Sequence, residues 1–85
     1  MLSSEIRVAV VFGPGMKVKP VWFDVNHTQH TIRQITNSWK DRKGETVYMH
    51  FHVTDEGALF ELIYNMSDAS WKLEQIEALL SLIHI

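Results

Sequence analysis

Cysteine is absent from this 85-residue chain, which excludes disulfides, thiolate metal sites and cysteine nucleophiles. Proline occurs only twice and glycine four times, too little for a low-complexity or collagen-like chain. No apolar run approaches the ~18 residues that a membrane span needs. The opening Met-Leu-Ser-Ser-Glu-Ile-Arg lacks the basic start and apolar core of a secretion signal. A cytoplasmic protein without a membrane partner is the expectation. Eighty-five residues make one domain, residues 1–85, which buries roughly 60% of its unfolded surface. A hydrophobic share of 46% excludes a disordered chain.

What is present begins with charge. The net charge is −2, but the halves differ. Residues 1–43 hold seven basic and three acidic residues, while residues 44–85 hold one basic and seven acidic. Strand-to-strand charge pairing is expected to absorb most of this asymmetry.

The clearest pattern is Thr46–Tyr64. Two period-2 runs flank a turn-rich break, the signature of a β-hairpin. Upstream, Ile6–Phe12 is a valine-rich apolar run suited to a buried strand. Gly13-Pro14-Gly15 ends it as a tight turn. Val18–Val25 is the next strand, with Pro20 marking an edge or a bulge. Asn26–His30 reads as a loop, and His30–Lys40 as a third strand. At the C-terminus Leu73, Ile76, Leu80 and Ile83 recur at helical spacing, although Trp71 and Leu73 also alternate. A short strand at Ser70–Leu73 followed by a helix from about Glu74 to Ile83 is expected, with a helix already beginning at Ala69 as the competing reading.

The fold class expected from these elements is α+β, mostly β. A curled antiparallel meander or small open barrel of five to six strands would carry one C-terminal helix.

Registers follow from asking which pairing buries one consistent face. With Arg42-Lys43-Gly44 as a three-residue loop, Trp39 opposes Val47 and Ile35 opposes Phe51. Ile32 falls out of phase, so a bend or bulge is expected near it. In the second hairpin, Val53 opposite Ala58 pairs Phe51 with Phe60, Met49 with Leu62 and His50 with Glu61.

The spacing Pro20-Val-Trp-Phe, Ile32-x-x-Ile35-x-x-x-Trp39, Phe51-x-Val53, Phe60-x-Leu62-x-Tyr64, Trp71-x-Leu73 resembles a group of small bacterial β-meander proteins of uncharacterised function. The likeness covers about residues 20–73. It implies a compact β fold and brings no activity, cofactor or site residue with it.

Chemistry-bearing constellations are few. His50 and His52 lie two apart on one strand and so share a face, and Glu61 is expected opposite them. Such a set is a candidate ligand or metal face; a cross-strand ion pair is the plainer alternative. His27 and His30 form a second pair in the preceding loop. Tyr48, Leu59 and Ile63 would line the same outer face as an apolar strip, a candidate interaction surface. Lys40, Arg42 and Lys43 are candidate nucleic-acid contacts, of the kind small β-barrels use on single strands, with Trp22 as the exposed aromatic. Ser38 is placed on the histidine face without nucleophile-elbow context. No catalytic residue, cofactor or specific metal is assigned. The expected role is a non-enzymatic binding module that contacts a protein partner or a second copy of itself. Nucleic-acid binding is the second reading, and a His-based metal site the third.

Overall fold

The computed structural model of the chain describes residues 6–15 and 17–78. Seven strands run in order: β1 (Ile6–Gly13), β2 (Lys17–Val25), β3 (Thr28–Thr31), β4 (Gln34–Lys43), β5 (Thr46–Thr54), β6 (Ala58–Asn65) and β7 (Ser70–Ala78). They form two antiparallel sheets, β1-β2-β3 and β4-β5-β6-β7. The chain crosses between sheets at Ile32-Arg33. There the Ile32 N–H donates to Val21 at 3.1 Å, and the Arg33 N–H donates to Thr54 at 2.7 Å. Two adjacent amides thus face different sheets, which is the bend expected near Ile32. The outer strands β1 and β7 approach one another.

The fold is all-β. The expected five- to six-stranded open barrel with a C-terminal helix is overturned, because the described residues contain seven strands in two sheets and no helix. The part of the helix that was placed on Glu74–Ala78 is strand β7; its remainder lies outside the described residues. Tertiary pairing explains the outcome. Trp71 pairs with Tyr64 and Leu73 with Leu62, and the ladder then shifts at Ile76, between Gln75 and Glu77. That extra residue displaces the apolar phase, so a bulged strand imitates a helical Leu73/Ile76 spacing.

The core lies between the sheets. Phe23 from β2 meets Phe51, Val53, Ala58, Phe60 and Leu62 from β5 and β6, all buried. The Phe23 and Phe60 rings pack edge to face with centroids 5.2 Å apart, a favoured aromatic geometry. Pro20 is also buried. It sits beside a register shift between Ala9 and Val10, so its missing N–H falls where the ladder is already interrupted.

Turn geometry sets the registers, and two differ from expectation. Between β4 and β5, Lys43 pairs with Thr46, which leaves Gly44-Glu45 as a two-residue loop. Gly44 has φ +61° at the position such a turn reserves for glycine. Trp39 consequently opposes His50, not Val47. This odd shift moves Trp39 to the outer face and Ser38 to the opposite one. A register shift between Ile35 and Asn37 restores Ile35 to the core, opposite Val53. Between β5 and β6, Asp55 accepts from the Gly57 and Ala58 N–H groups at 2.8 and 2.9 Å. That closure pairs Val53 with Phe60 and Phe51 with Leu62. The offset from expectation is even, so every side chain keeps its face. The expected loop at Asn26–His30 contracts to Asn26-His27, with φ +51° and +68°, the doubly left-handed pattern of a primed hairpin turn.

Candidate functional site

Alternation on four paired strands builds one outer surface. One row reads Trp39, His50, Ile63 and Lys72, and the neighbouring row contains His52, Glu61 and Glu74. Glu61 lies opposite His52 and diagonal to His50. Both imidazoles reach it: His50 Nδ1 donates to Oε2 at 2.8 Å, and His52 Nε2 donates to Oε1 at 3.2 Å. An ionised carboxylate only accepts, so these contacts assign the two N–H groups. Burial alone would raise the Glu61 carboxyl, but the hydrogen bonds and charges of His50 and His52 outweigh it and hold the group below its ordinary value.

His50 is the centre of this cluster, with its side chain only 13% exposed. Trp39 stacks on it with centroids 4.8 Å apart and planes 4° from parallel. The same indole meets His52 edge-on at 4.9 Å. Asp41 Oδ2 lies 3.6 Å from His50 Nε2, a nitrogen that is buried without a hydrogen-bond partner. Two carboxylates therefore bracket one imidazole ring. Thr36 Oγ1 adds a 3.3 Å bond to the His52 carbonyl.

Among the described residues no group of three or more His, Asp or Glu is arranged to hold a metal ion. His50 and His52 each direct one ring N–H at Glu61, which engages both oxygens of that carboxylate.

The apolar strip is divided. Tyr48 and Ile63 line a groove of about 140 Å³ together with His50, Asp41, Lys43 and Lys72. Leu59 stands apart, paired with Thr54 and Glu77 beyond the Glu61 row. The basic set is divided as well. Lys43 shares the groove, whereas Lys40 and Arg42 alternate to the opposite face of β4. The three cations proposed for nucleic acid thus do not form one patch.

A second cluster was not legible in the sequence. His30, where the expected loop meets the expected third strand His30–Lys40, lies in β3, and that strand is split between β3 and β4; His27 stays in the turn. His30 Nδ1 donates to Asp55 Oδ2 at 2.7 Å. Its ring stacks on Phe23 at 4.9 Å and meets Phe60 edge-on at 5.6 Å. Burial opposes the charge on Asp55, but bonds from His30, Gly57 and Ala58 prevail and hold its carboxyl below the ordinary value. The pair borders a cleft of about 510 Å³ at the sheet crossing, flanked by Arg33 and Glu56. Its only sequence signal is period 2: His30 shares parity with Ile32 and Thr28.

Arg7 makes a two-pronged pair with Asp24, its Nε donating at 3.1 and 3.2 Å. That bond holds Asp24 below its ordinary value against the opposing effect of burial. Arg33 and Glu56 pair across the two halves of the chain at 3.9 Å.

No family model matches this chain, and neither a curated protein nor a solved structure shows significant similarity to it. The resemblance to small bacterial β-meander proteins therefore rests on residue spacing alone.

Proposed function

We propose that this protein is a small, cytoplasmic, non-enzymatic interaction module that binds a protein partner through the outer face of β4-β5-β6-β7. One observation carries the reading. The groove floored by Tyr48 and Ile63 is rimmed by Asp41, Lys43 and Lys72 and backed by His50. An apolar floor inside a charged rim is the anatomy of a contact surface. The Trp39–His50–Glu61–His52 cluster holds the groove's His50 wall in place without a mobile loop. Rigid walls lower the ordering cost of association. A second copy of the chain is the simplest partner of this class.

The test is photocrosslinking from an aromatic photoprobe at Tyr48 in cells, with the same probe at Glu45 as control. A discrete protein adduct from position 48 alone, identified by mass spectrometry, is the expected result. Adducts of equal intensity from both positions, or none from Tyr48, would remove the reading. An adduct of twice the chain mass identifies self-association.

A further inference from the structure

Among the described residues the most exposed large apolar side chains are not on the four-stranded sheet. They are Phe12, 70% exposed, and Val11, 54% exposed, at the end of β1. Phe12 pairs with Val18, Val11 with Lys19, and Gly13 with Lys17 across the hairpin. Consecutive strand residues point to opposite faces, so this two-stranded tip presents an apolar group on each side. A protein surface docked flat on the ribbon covers one side only; a fluid medium surrounds both.

Charge narrows the medium. From Ile6 to Phe23 the chain contains no acidic residue, and its cations are Arg7, Lys17 and Lys19. Arg7 is committed to Asp24. Lys17 and Lys19 are exposed, and neither forms an ion pair among the described residues. Lys19 also faces Arg33 across a cleft of about 400 Å³ whose walls include Pro20, Val21 and Ile35. Among the described residues Arg33 forms an ion pair with Glu56 alone, at 3.9 Å, with both side chains largely exposed. Lys17 and Lys19 lie on the face of the ribbon that carries Val11, and Phe12 on the other; an apolar tip with lysines beside it is the arrangement that places an aromatic ring at headgroup depth with cations at the phosphates.

We propose that the β1–β2 hairpin tip docks on an anionic phospholipid surface, with Phe12 and Val11 entering the interface and Lys17, Lys19 and Arg33 meeting the headgroups. This is a peripheral contact. It departs from the expectation of no membrane partner, which rested on the lack of a spanning segment; no helix of the described residues is long and apolar enough to cross a membrane. With one aromatic anchor, binding is weak and reversible and depends on both the apolar and the electrostatic parts.

The experiment is co-sedimentation of the untagged full chain with vesicles of phosphatidylcholine alone or mixed with phosphatidylglycerol. Binding is expected only to the mixed vesicles and is expected to weaken with added salt. Phe12→Ser should abolish it, and the double change Lys17→Glu with Lys19→Glu should lower it by at least ~10-fold. Phe12 is outside the core, so thermal melts should show both variants folded. A second measurement places Trp at the tip: Phe12→Trp fluorescence should be quenched by brominated lipid beyond the level of the wild-type protein. No sedimentation of the wild-type chain with mixed vesicles overturns the proposal. So does binding that survives Phe12→Ser, which would indicate adsorption by charge without insertion. Neither result bears on the Tyr48 groove, which lies on the other sheet.

Discussion

The His30 imidazole and the Asp55 carboxylate meet at 2.7 Å, although 25 residues separate them. The contact joins β3 of the three-stranded sheet to the turn that connects β5 and β6 of the four-stranded one. Asp55 also closes that turn through the Gly57 and Ala58 amides. One side chain therefore sets a register and fastens two sheets.

These two tasks separate by substitution. Asp55→Ala removes three hydrogen bonds and leaves partly buried donors unsatisfied, so a loss of ~2–3 kcal/mol is expected. Asp55→Asn keeps an acceptor for the turn amides and weakens only the bond to His30, so it should cost about half as much. Urea unfolding of both variants checks the order; equal losses would mean that the bond to His30, and not the turn, carries the effect.

Acid should destabilise the protein through four carboxylates, of which Asp68 is held below its ordinary value by its hydrogen bonds to Ser70. Asp24, Asp55 and Glu61 all titrate below their ordinary values of 3.8, 3.8 and 4.5 in the folded chain. The unfolded chain therefore binds more protons as pH falls through that range. The stabilisation is complete above the ordinary values and is lost progressively below them. Urea midpoints measured from about pH 6 down to about pH 3 should decline, and Glu61→Gln should flatten that decline while lowering stability near neutrality. An unchanged slope in Glu61→Gln would show that the His50–Glu61–His52 cluster does not contribute to the acid limb.

Core and bulge positions should respond very differently to truncation. Leu62 has no exposed surface, and Leu62→Ala is expected to cost ~2–5 kcal/mol through lost burial and a residual cavity. Ile76 is 44% exposed at the β7 bulge, and Ile76→Ala should stay within about 0.5 kcal/mol of the wild type. A large loss at Ile76 would place that side chain in a contact the described residues do not account for. Equilibrium denaturation of the pair checks this.

Turn conformation offers a stabilising change. His27 holds φ +68°, a left-handed value that costs a side chain about 1–2 kcal/mol relative to glycine. His27→Gly also gains unfolded-state freedom, which offsets part of the benefit. A net stabilisation of a few tenths to about 1 kcal/mol is expected. Gly44→Ala, at φ +61°, should lose about 1 kcal/mol. Paired thermal melts decide the sign at each site.

Alternation along β5 and β6 was determined by the amino-acid sequence. Phe51, Val53, Phe60 and Leu62 had to share one face, and His50, His52 and Glu61 the other, because the direction of a strand side chain is a local property of the backbone. The interruption at Pro20 was legible for the same reason, since a missing N–H is written in one residue. Register was not local. It depended on a two-residue turn at Gly44-Glu45 and on the Asp55 closure, each a small free-energy choice between pairings. The first was an odd shift and moved Trp39 from the core onto His50; the second was even and moved nothing between faces. The last segment was decided by partners as well. Leu73 and Ile76 suit a helix by spacing, but Tyr64 and Leu62 offered an apolar ladder that partly buried Trp71 and Leu73 against the core. The junction of His30 with Asp55 arose only when the two sheets folded against each other, and the groove beside Tyr48 only when β4, β5, β6 and β7 paired, because each joins residues whose proximity no local pattern encodes.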